Sequence, residues 1–238
     1  MRRLVTIALL ISAVSACVRT DGPAGSFRPP KTAFVRGMPP EGIVGKTRRS
    51  LETRLYNPPL SPIHRTHPSV GRMRGKGSLS IGTTKDGFVV ECRRLPIIGA
   101  HHRILEAQAV RNTRCGTDEV VAALLKAAED VAGAHEGAVL TVGNLSREGG
   151  GDIPWSVSHN SGRDVDIGLY LKGPDGRQVI PPDFVHVDAA GRGEIDGVEV
   201  AIDVDSTWLA IRSLLTNRRI EIQWLFIADP LRALLLDH

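Results

Sequence analysis

The uneven distribution of proline most constrains what this chain can fold into. Nine of the fifteen prolines lie in residues 17–75, with pairs at 29–30, 39–40 and 58–59, and no hydrophobic period runs through the segment. Such a segment cannot bury enough apolar surface to offset the entropy that it would lose on ordering. Residues 17–75 are therefore predicted to be a disordered basic linker, and residues 76–238 are predicted to form one folded domain.

Residues 1–16 have the composition of an export signal. Arg2 and Arg3 precede an apolar stretch that is too short to cross a bilayer. The stretch ends in Val14-Ser15-Ala16-Cys17, which resembles the lipobox of bacterial lipoproteins and implies lipidation at Cys17. An ordinary secretory signal with an incidental cysteine is the alternative. Since Val18 and not Asp directly follows Cys17, the resemblance favours a periplasmic protein anchored in the outer membrane.

Positive charge is concentrated outside the predicted domain. Residues 18–74 carry eleven lysines and arginines against three acidic residues, and residues 1–17 carry two arginines. Because the whole chain has a formal net charge of +4, residues 75–238 are left with −6. A nucleic-acid-binding face on the domain is therefore not expected. The basic linker is expected to lie along anionic lipid or wall polymer, or to be only a soluble tether.

Two cysteines remain in the predicted domain, Cys92 and Cys115. An even pair in an exported protein indicates a disulfide. This bridge would contribute roughly 3 kcal/mol in the chain-entropy treatment. Two buried thiols are the alternative.

The patterns of residues 76–238 predict an α+β fold, a mostly antiparallel sheet flanked by helices. A hairpin is expected at 79–92 around Asp86-Gly87, followed by a helix that Thr117 caps. The later elements are predicted in this order: a strand at 138–143, a strand at 166–171, a turn at 174–176, a loop at 191–197, a helix capped by Asp203 or Asp205, a strand at 220–227, and a helix capped by Asp229 with Pro230 in its first turn.

The run from Ser158 to Gly168 carries the chemistry. His159 is followed by a glycine-containing bend and then by Asp164 and Asp166, which an extended chain points to one face. Two carboxylates on one buried face are costly unless a cation or donors satisfy them. Imidazole and carboxylate are ordinary zinc ligands. The run therefore predicts a metal site, with an ordinary polar loop as the alternative.

The wider block resembles the penicillin-insensitive murein endopeptidases, zinc peptidases of the lysostaphin and D-Ala-D-Ala peptidase group. The resemblance is carried by Val142-Gly143-Asn144-Leu145-Ser146, by Gly149-Gly150-Gly151 and by the run from Ser158 to Gly168. It implies that His159 and Asp166 bind Zn²⁺, and that Asp164 supports His159 or Arg163. Arg163 is expected either to orient a substrate carboxylate or to pair with Asp164 or Asp205.

The resemblance also implies a His-x-His element near the C-terminus, which would supply a third ligand and an acid–base histidine. No two of the eight histidines here are separated by exactly one residue. His186 is a weak substitute ligand, and His238 lies on a helix that stops in mid-pattern, which suggests a truncated chain. Two protein ligands fall short of a catalytic zinc site.

Two functions remain open at this point. By resemblance, the chain is a metallo-endopeptidase that hydrolyses the D-alanyl-diaminopimelate cross-links of peptidoglycan. The sequence has neither a G-x-S-x-G elbow nor an H-E-x-x-H pair that would indicate another hydrolase. The alternative is a non-catalytic peptidoglycan-binding lipoprotein that retains the peptidase fold.

Overall fold

A computed structural model describes residues 75–238 and the backbone of residues 3–8. The predictions for Cys17 and the basic linker therefore lie outside the described residues, apart from position 75. The predicted α+β class is confirmed. Within the described residues the helices are α1 (Glu106–Arg111), α2 (Asp118–Ala134), α3 (Val204–Leu215) and α4 (Asp229–Leu236).

The strands of the described residues divide among several small sheets. In chain order they are β1 (Arg3–Ala8), β2 (Leu79–Gly82), β3 (Gly87–Val90), β4 (Arg93–Arg94), β5 (His102–Ile104), β6 (Cys115–Gly116), β7 (Leu140–Val142), β8 (Asp164–Asp166), β9 (Leu171–Lys172), β10 (Gln178–Val179), β11 (Arg192–Ile195), β12 (Val198–Ile202) and β13 (Ile220–Phe226). Antiparallel pairing forms β2-β3, β4-β6 and the sheet β10-β9-β12-β11. The pair β5-β7 and the sheet β13-β1-β8 are parallel.

Helix α2 is the longest helix of the described residues and lies across the core. Thr117 caps it as predicted, because its hydroxyl accepts the Val120 N–H at 3.4 Å. One face of α2 is buried against α3 and the strands, and the Ser213 hydroxyl of α3 donates to Asp130 at 2.6 Å. The two helices and the buried strands thus enclose one apolar core, which includes Val165 of β8.

Asp203 is the cap of α3, one of the two residues predicted for that position. Its carboxylate accepts the Ser206 N–H at 3.3 Å and lies 2.9 Å from the Lys172 ammonium. Burial alone would raise the pKa of Asp203, but the hydrogen bonds from Ser206 and Lys172 outweigh it and lower the pKa. The start of α3 therefore depends on an ionised, buried carboxylate.

Three predicted element boundaries were wrong. The strand predicted at 166–171 ends at Asp166, because the chain crosses over β7 at Gly168, where a side chain would overlap Thr141. The loop predicted at 191–197 contains β11: Gly193 lies within the strand, where it packs closely on a backbone carbonyl. Asp229 is the first residue of α4 and not its cap, which is Ala228.

The apolar stretch predicted to be an export signal contributes a strand to the fold. Residues Arg3–Ala8 form β1, which runs parallel to both β8 and β13 and joins them into one sheet. The export signal itself stays a prediction. No helix among the described residues is both long and apolar enough for a membrane span.

Candidate metal centre

The site begins with a tight bend that places His159 beneath β8. His159 has a φ of +69° and Gly162 a φ of +72°, so the chain folds back sharply before it enters the strand. The backbone N–H of His159 donates to the Asp164 carboxylate at 2.6 Å, which holds the bend closed. Only 2% of His159 is exposed. A left-handed residue other than glycine at this position indicates a constrained geometry.

The imidazole lies between the two predicted carboxylates. Nε2 of His159 is 3.2 Å from Oδ1 of Asp166, and Nδ1 is 3.5 Å from Oδ2 of Asp164. Asp164 and Asp166 reach the same ring because side chains alternate along β8, while Val165 between them is fully buried in the core. The structure thus brings together the three residues that sequence reasoning selected.

Several polar atoms of this cluster are buried without a hydrogen-bond partner. They are Nδ1 of His159, Oδ1 of Asp164 and Oδ1 of Asp166, the last of which has only its 3.2 Å contact with His159 Nε2. Each unsatisfied buried group of this kind costs about 1–3 kcal/mol, and more when it is charged. A cation bound among them would offset that cost. Two ligands about 2.1 Å from a tetrahedral zinc ion lie about 3.4 Å apart, which is close to the 3.2 Å between His159 and Asp166.

The electrostatic environment of the cluster favours positive charge. Burial alone would lower the pKa of His159, but its contacts with Asp166 and Asp164 outweigh burial and raise it. For Asp164, burial is the dominant influence and raises the pKa of its carboxyl group, although His159 opposes the shift. The two aspartates therefore stabilise a cation at the imidazole, whether a proton or a metal ion.

Asn144, which lies two residues after β7, forms a hydrogen bond with the Asp166 carboxylate. Its side-chain amide donates to Oδ2 of Asp166 at 2.9 Å, and its own carbonyl oxygen accepts from the Thr113 hydroxyl at 2.9 Å. The Asp166 backbone N–H also donates to the Asn144 backbone carbonyl at 2.9 Å. Sequence reasoning quoted Asn144 as part of a motif but assigned it no role, and it passed over Thr113. The only available signal was a polar residue directly after a buried strand.

The disulfide segment packs against the bend. Cys92 and Cys115 form a disulfide with their Cα atoms 5.5 Å apart. Cys115 exchanges backbone hydrogen bonds with Ser146, and the Ser146 hydroxyl accepts the Gly162 N–H at 2.7 Å. The carbonyl of Gly162 in turn accepts the N–H of the α2 cap at 2.9 Å. The bend that carries His159 is therefore attached to both the disulfide and α2.

Arg163 points away from the cluster. Its guanidinium donates to the Gly82 carbonyl and to the Ser161 hydroxyl, and neither predicted partner, Asp164 nor Asp205, pairs with it. Asp205 instead pairs with His238 at 2.7 Å. The expected salt bridges of Arg163 were therefore wrong, because the bend turns its side chain toward the hairpin β2-β3.

The described residues do not supply a complete metal cage. No group of three or more His, Cys, Asp or Glu side chains in residues 75–238 has an arrangement suited to holding an ion. His186, the substitute ligand considered from the sequence, precedes the backbone bridge between Val187 and Gly193, whereas the ion pairs of the cluster join His159 to Asp164 and Asp166. The donor set that fits zinc is thus His159 and Asp166, with Asp164 against the other ring nitrogen.

Residues 80–182 match the family model described as penicillin-insensitive murein endopeptidase. No curated protein matches the chain. The matched segment runs from the hairpin β2-β3 through α2 and β8, and so contains the whole cluster around His159. The match agrees with the resemblance to the penicillin-insensitive murein endopeptidases found in the sequence, over the segment that holds His159 and Asp166.

Proposed function

We propose that this chain is a zinc-dependent endopeptidase that hydrolyses the D-alanyl-diaminopimelate cross-links of peptidoglycan. The observation that carries the proposal is the 3.2 Å approach of His159 Nε2 to Asp166 Oδ1, with unpartnered buried atoms around it. The family match supports a murein peptidase as the general class. The metal and the bond cleaved are specific to the proposal.

The residues present fit two positions of a zinc site. His159 and Asp166 would hold the ion, and a bound zinc lowers the pKa of coordinated water to about 7 and polarises a carbonyl. Asn144 fixes the orientation of Asp166 through its donated hydrogen bond. Asp164 anchors the bend through the His159 N–H and contacts Nδ1, so that Nε2 is directed at the metal position.

A second function is favoured by one observation. The family pattern expects a His-x-His element for the third ligand and for acid–base catalysis, and this sequence has none. The described residues offer no third ligand in its place. A non-catalytic peptidoglycan-binding lipoprotein, which retains the fold and part of the site, is therefore the alternative. In both cases we propose that the chain is periplasmic and attached to the outer membrane through a lipid on Cys17.

Zinc binding and wall digestion distinguish these functions. The metal-free chain is titrated with Zn²⁺ against a chromogenic chelator, and its digestion of purified sacculi is followed with and without a strong chelator. The variants are His159→Ala and Asp166→Asn, and His135→Ala at the end of α2 is the matched control.

If the chain is an endopeptidase, the parent and His135→Ala should release cross-linked peptides in a chelator-sensitive manner, and the two site variants should release none. Zinc binding without digestion supports the wall-binding lipoprotein. If His159→Ala binds zinc as tightly as the parent, the metal site is wrongly assigned. If it digests sacculi as fast as the parent, the proposed mechanism is wrong.

A further inference from the structure

An open cavity of about 840 Å³ lies on another part of the domain, between α2 and the turn that joins α3 to β13. The segment at 100–102 and strand β4 complete its wall. None of the lining residues belongs to the cluster around His159. The cavity is therefore a separate feature with its own chemistry.

Most of the charge on its wall is positive. Four lysine and arginine side chains line it against two acidic ones. Asp130, one of the two acids, is already engaged, because it pairs with Lys126 and accepts a hydrogen bond from Ser213. Hydrogen bonds from these two side chains lower the pKa of Asp130, so that it stays ionised and bound. Lys126 and Asp130 thus neutralise each other.

Three arginines remain at the rim, Arg93, Arg218 and Arg219, and all are exposed. Within residues 75–238 no carboxylate forms an ion pair with them; Glu129 is the remaining acid on the wall. This positive group lies on a domain whose formal net charge is −6. A local positive field on an acidic surface attracts anions, and the planar guanidinium group binds carboxylates through two parallel hydrogen bonds.

Part of the cavity wall is apolar. It is formed by Ala122, Leu125 and Ala128 of α2, of which the first two are partly exposed. The two alanines leave room for methyl groups beside Leu125. The ligand that fits combines several carboxylates with small apolar side chains.

We propose that this cavity is a second binding site for an anionic peptide of this composition, the stem peptide of peptidoglycan, which carries carboxylates and alanine methyl groups. The inference rests on the proposed function and extends it. A stem peptide held by the rim arginines keeps the domain on the wall while another stem peptide reaches the metal centre. The rim arginines thus determine affinity for the polymer and not the chemistry at His159.

The test compares two charge-reversed variants of the full chain. Arg218→Glu/Arg219→Glu alters the rim, and Arg177→Glu/Arg232→Glu makes the same change in net charge at exposed arginines outside the cavity. The probe is a soluble tetrapeptide of alanine, γ-linked glutamate, diaminopimelate and alanine. Binding is measured by calorimetry at 150 mM salt, with acetate and inorganic phosphate as competitors, and zinc affinity is measured on the same proteins.

The rim variant is expected to bind the tetrapeptide at least tenfold more weakly than the parent, with unchanged zinc affinity and thermal stability. The control variant is expected to bind within about twofold of the parent. Equal losses in both variants would show general charge attraction, and equal competition by phosphate would show a simple anion site; either result overturns the inference. Loss of peptide binding in the rim variant supports the inference even if the parent digests no sacculi. If the parent digests sacculi but binds no tetrapeptide, the second binding site is refuted and the proposed endopeptidase function stands.

Discussion

Replacing Asn144 tests whether the residues behind the metal centre position Asp166. In Asn144→Ala the buried Asp166 carboxylate loses the amide donor at 2.9 Å, and the Thr113 hydroxyl loses its acceptor at 2.9 Å. A hydrogen bond to a charged group contributes about 1.5–3 kcal/mol, and a buried hydroxyl left unpaired costs about 1–3 kcal/mol. We therefore expect the free energy of unfolding of the metal-free chain to fall by about 3–5 kcal/mol.

Thr113→Val is the matched comparison because valine keeps the shape of threonine and removes only the hydroxyl. It breaks one neutral hydrogen bond to Asn144 and leaves the bond to Asp166 in place. The expected loss is about 1–3 kcal/mol, because the buried Asn144 carbonyl oxygen is left unpaired while the charged hydrogen bond is kept. For zinc affinity, residues that orient a ligand typically account for 10–100-fold, and we expect a loss in that range for Asn144→Ala and a smaller one for Thr113→Val.

Urea denaturation followed by circular dichroism gives the free energies, and chelator competition gives the zinc affinities. The double variant should be no less stable than the sum of the single losses predicts, because both changes affect one hydrogen-bonded chain. The reasoning is refuted if Asn144→Ala unfolds within 0.5 kcal/mol of the parent and binds zinc equally well. It is also refuted if the two single variants lose the same amount in both measurements.

Three further predictions concern the elements around the site. Replacing Cys92 and Cys115 by serine should lower the free energy of unfolding by about 3 kcal/mol, and a reductant should then destabilise the parent but not the variant. Because the pKa of Asp203 is lowered in the fold, its contribution to the free energy of unfolding is complete at neutral pH and disappears as the pH falls through the folded pKa. The difference of about 2 kcal/mol in the free energy of unfolding between the parent and Asp203→Asn should therefore shrink below about pH 4. In urea or thermal unfolding, Gly150→Ala should lower the free energy of unfolding by at least about 2 kcal/mol more than Gly137→Ala does. Both glycines have a positive φ, but only at Gly150 would a side chain overlap backbone atoms. Equal losses in the two variants would contradict the predicted overlap.

The elements that could be predicted from sequence were those specified by neighbouring residues. Asp86-Gly87 marked the hairpin, Thr117 marked the start of α2, and Asp203 was one of two residues expected to start α3. In each case a turn or a cap is formed by residues within four positions of one another. Local hydrogen bonding decides such features, so tertiary packing had little opportunity to override them.

The errors came from glycines whose role depends on a distant partner. Gly193 suggested a loop, yet it lies in β11. The strand requires glycine at this position because a side chain would collide with the carbonyl of His186. Gly168 seemed compatible with a continuing strand, but it lets the chain cross closely over Thr141 of β7. Both contacts are tertiary and leave no periodic signal in the sequence. The role of Asn144, 22 residues from Asp166, was hidden for the same reason.

The arrangement around His159 is difficult to explain by packing alone. A buried structural histidine normally has both ring nitrogens in hydrogen bonds, whereas here Nδ1 of His159 and Oδ1 of Asp164 have no hydrogen-bond partner. Two such atoms cost about 2–6 kcal/mol, which is a large part of the 5–15 kcal/mol by which a domain is normally stable. Apolar residues at 159, 164 and 166 would remove the cost if these positions served only the core. We therefore propose that the cluster is a site for a cation, on the basis of the side chains of the bend and β8.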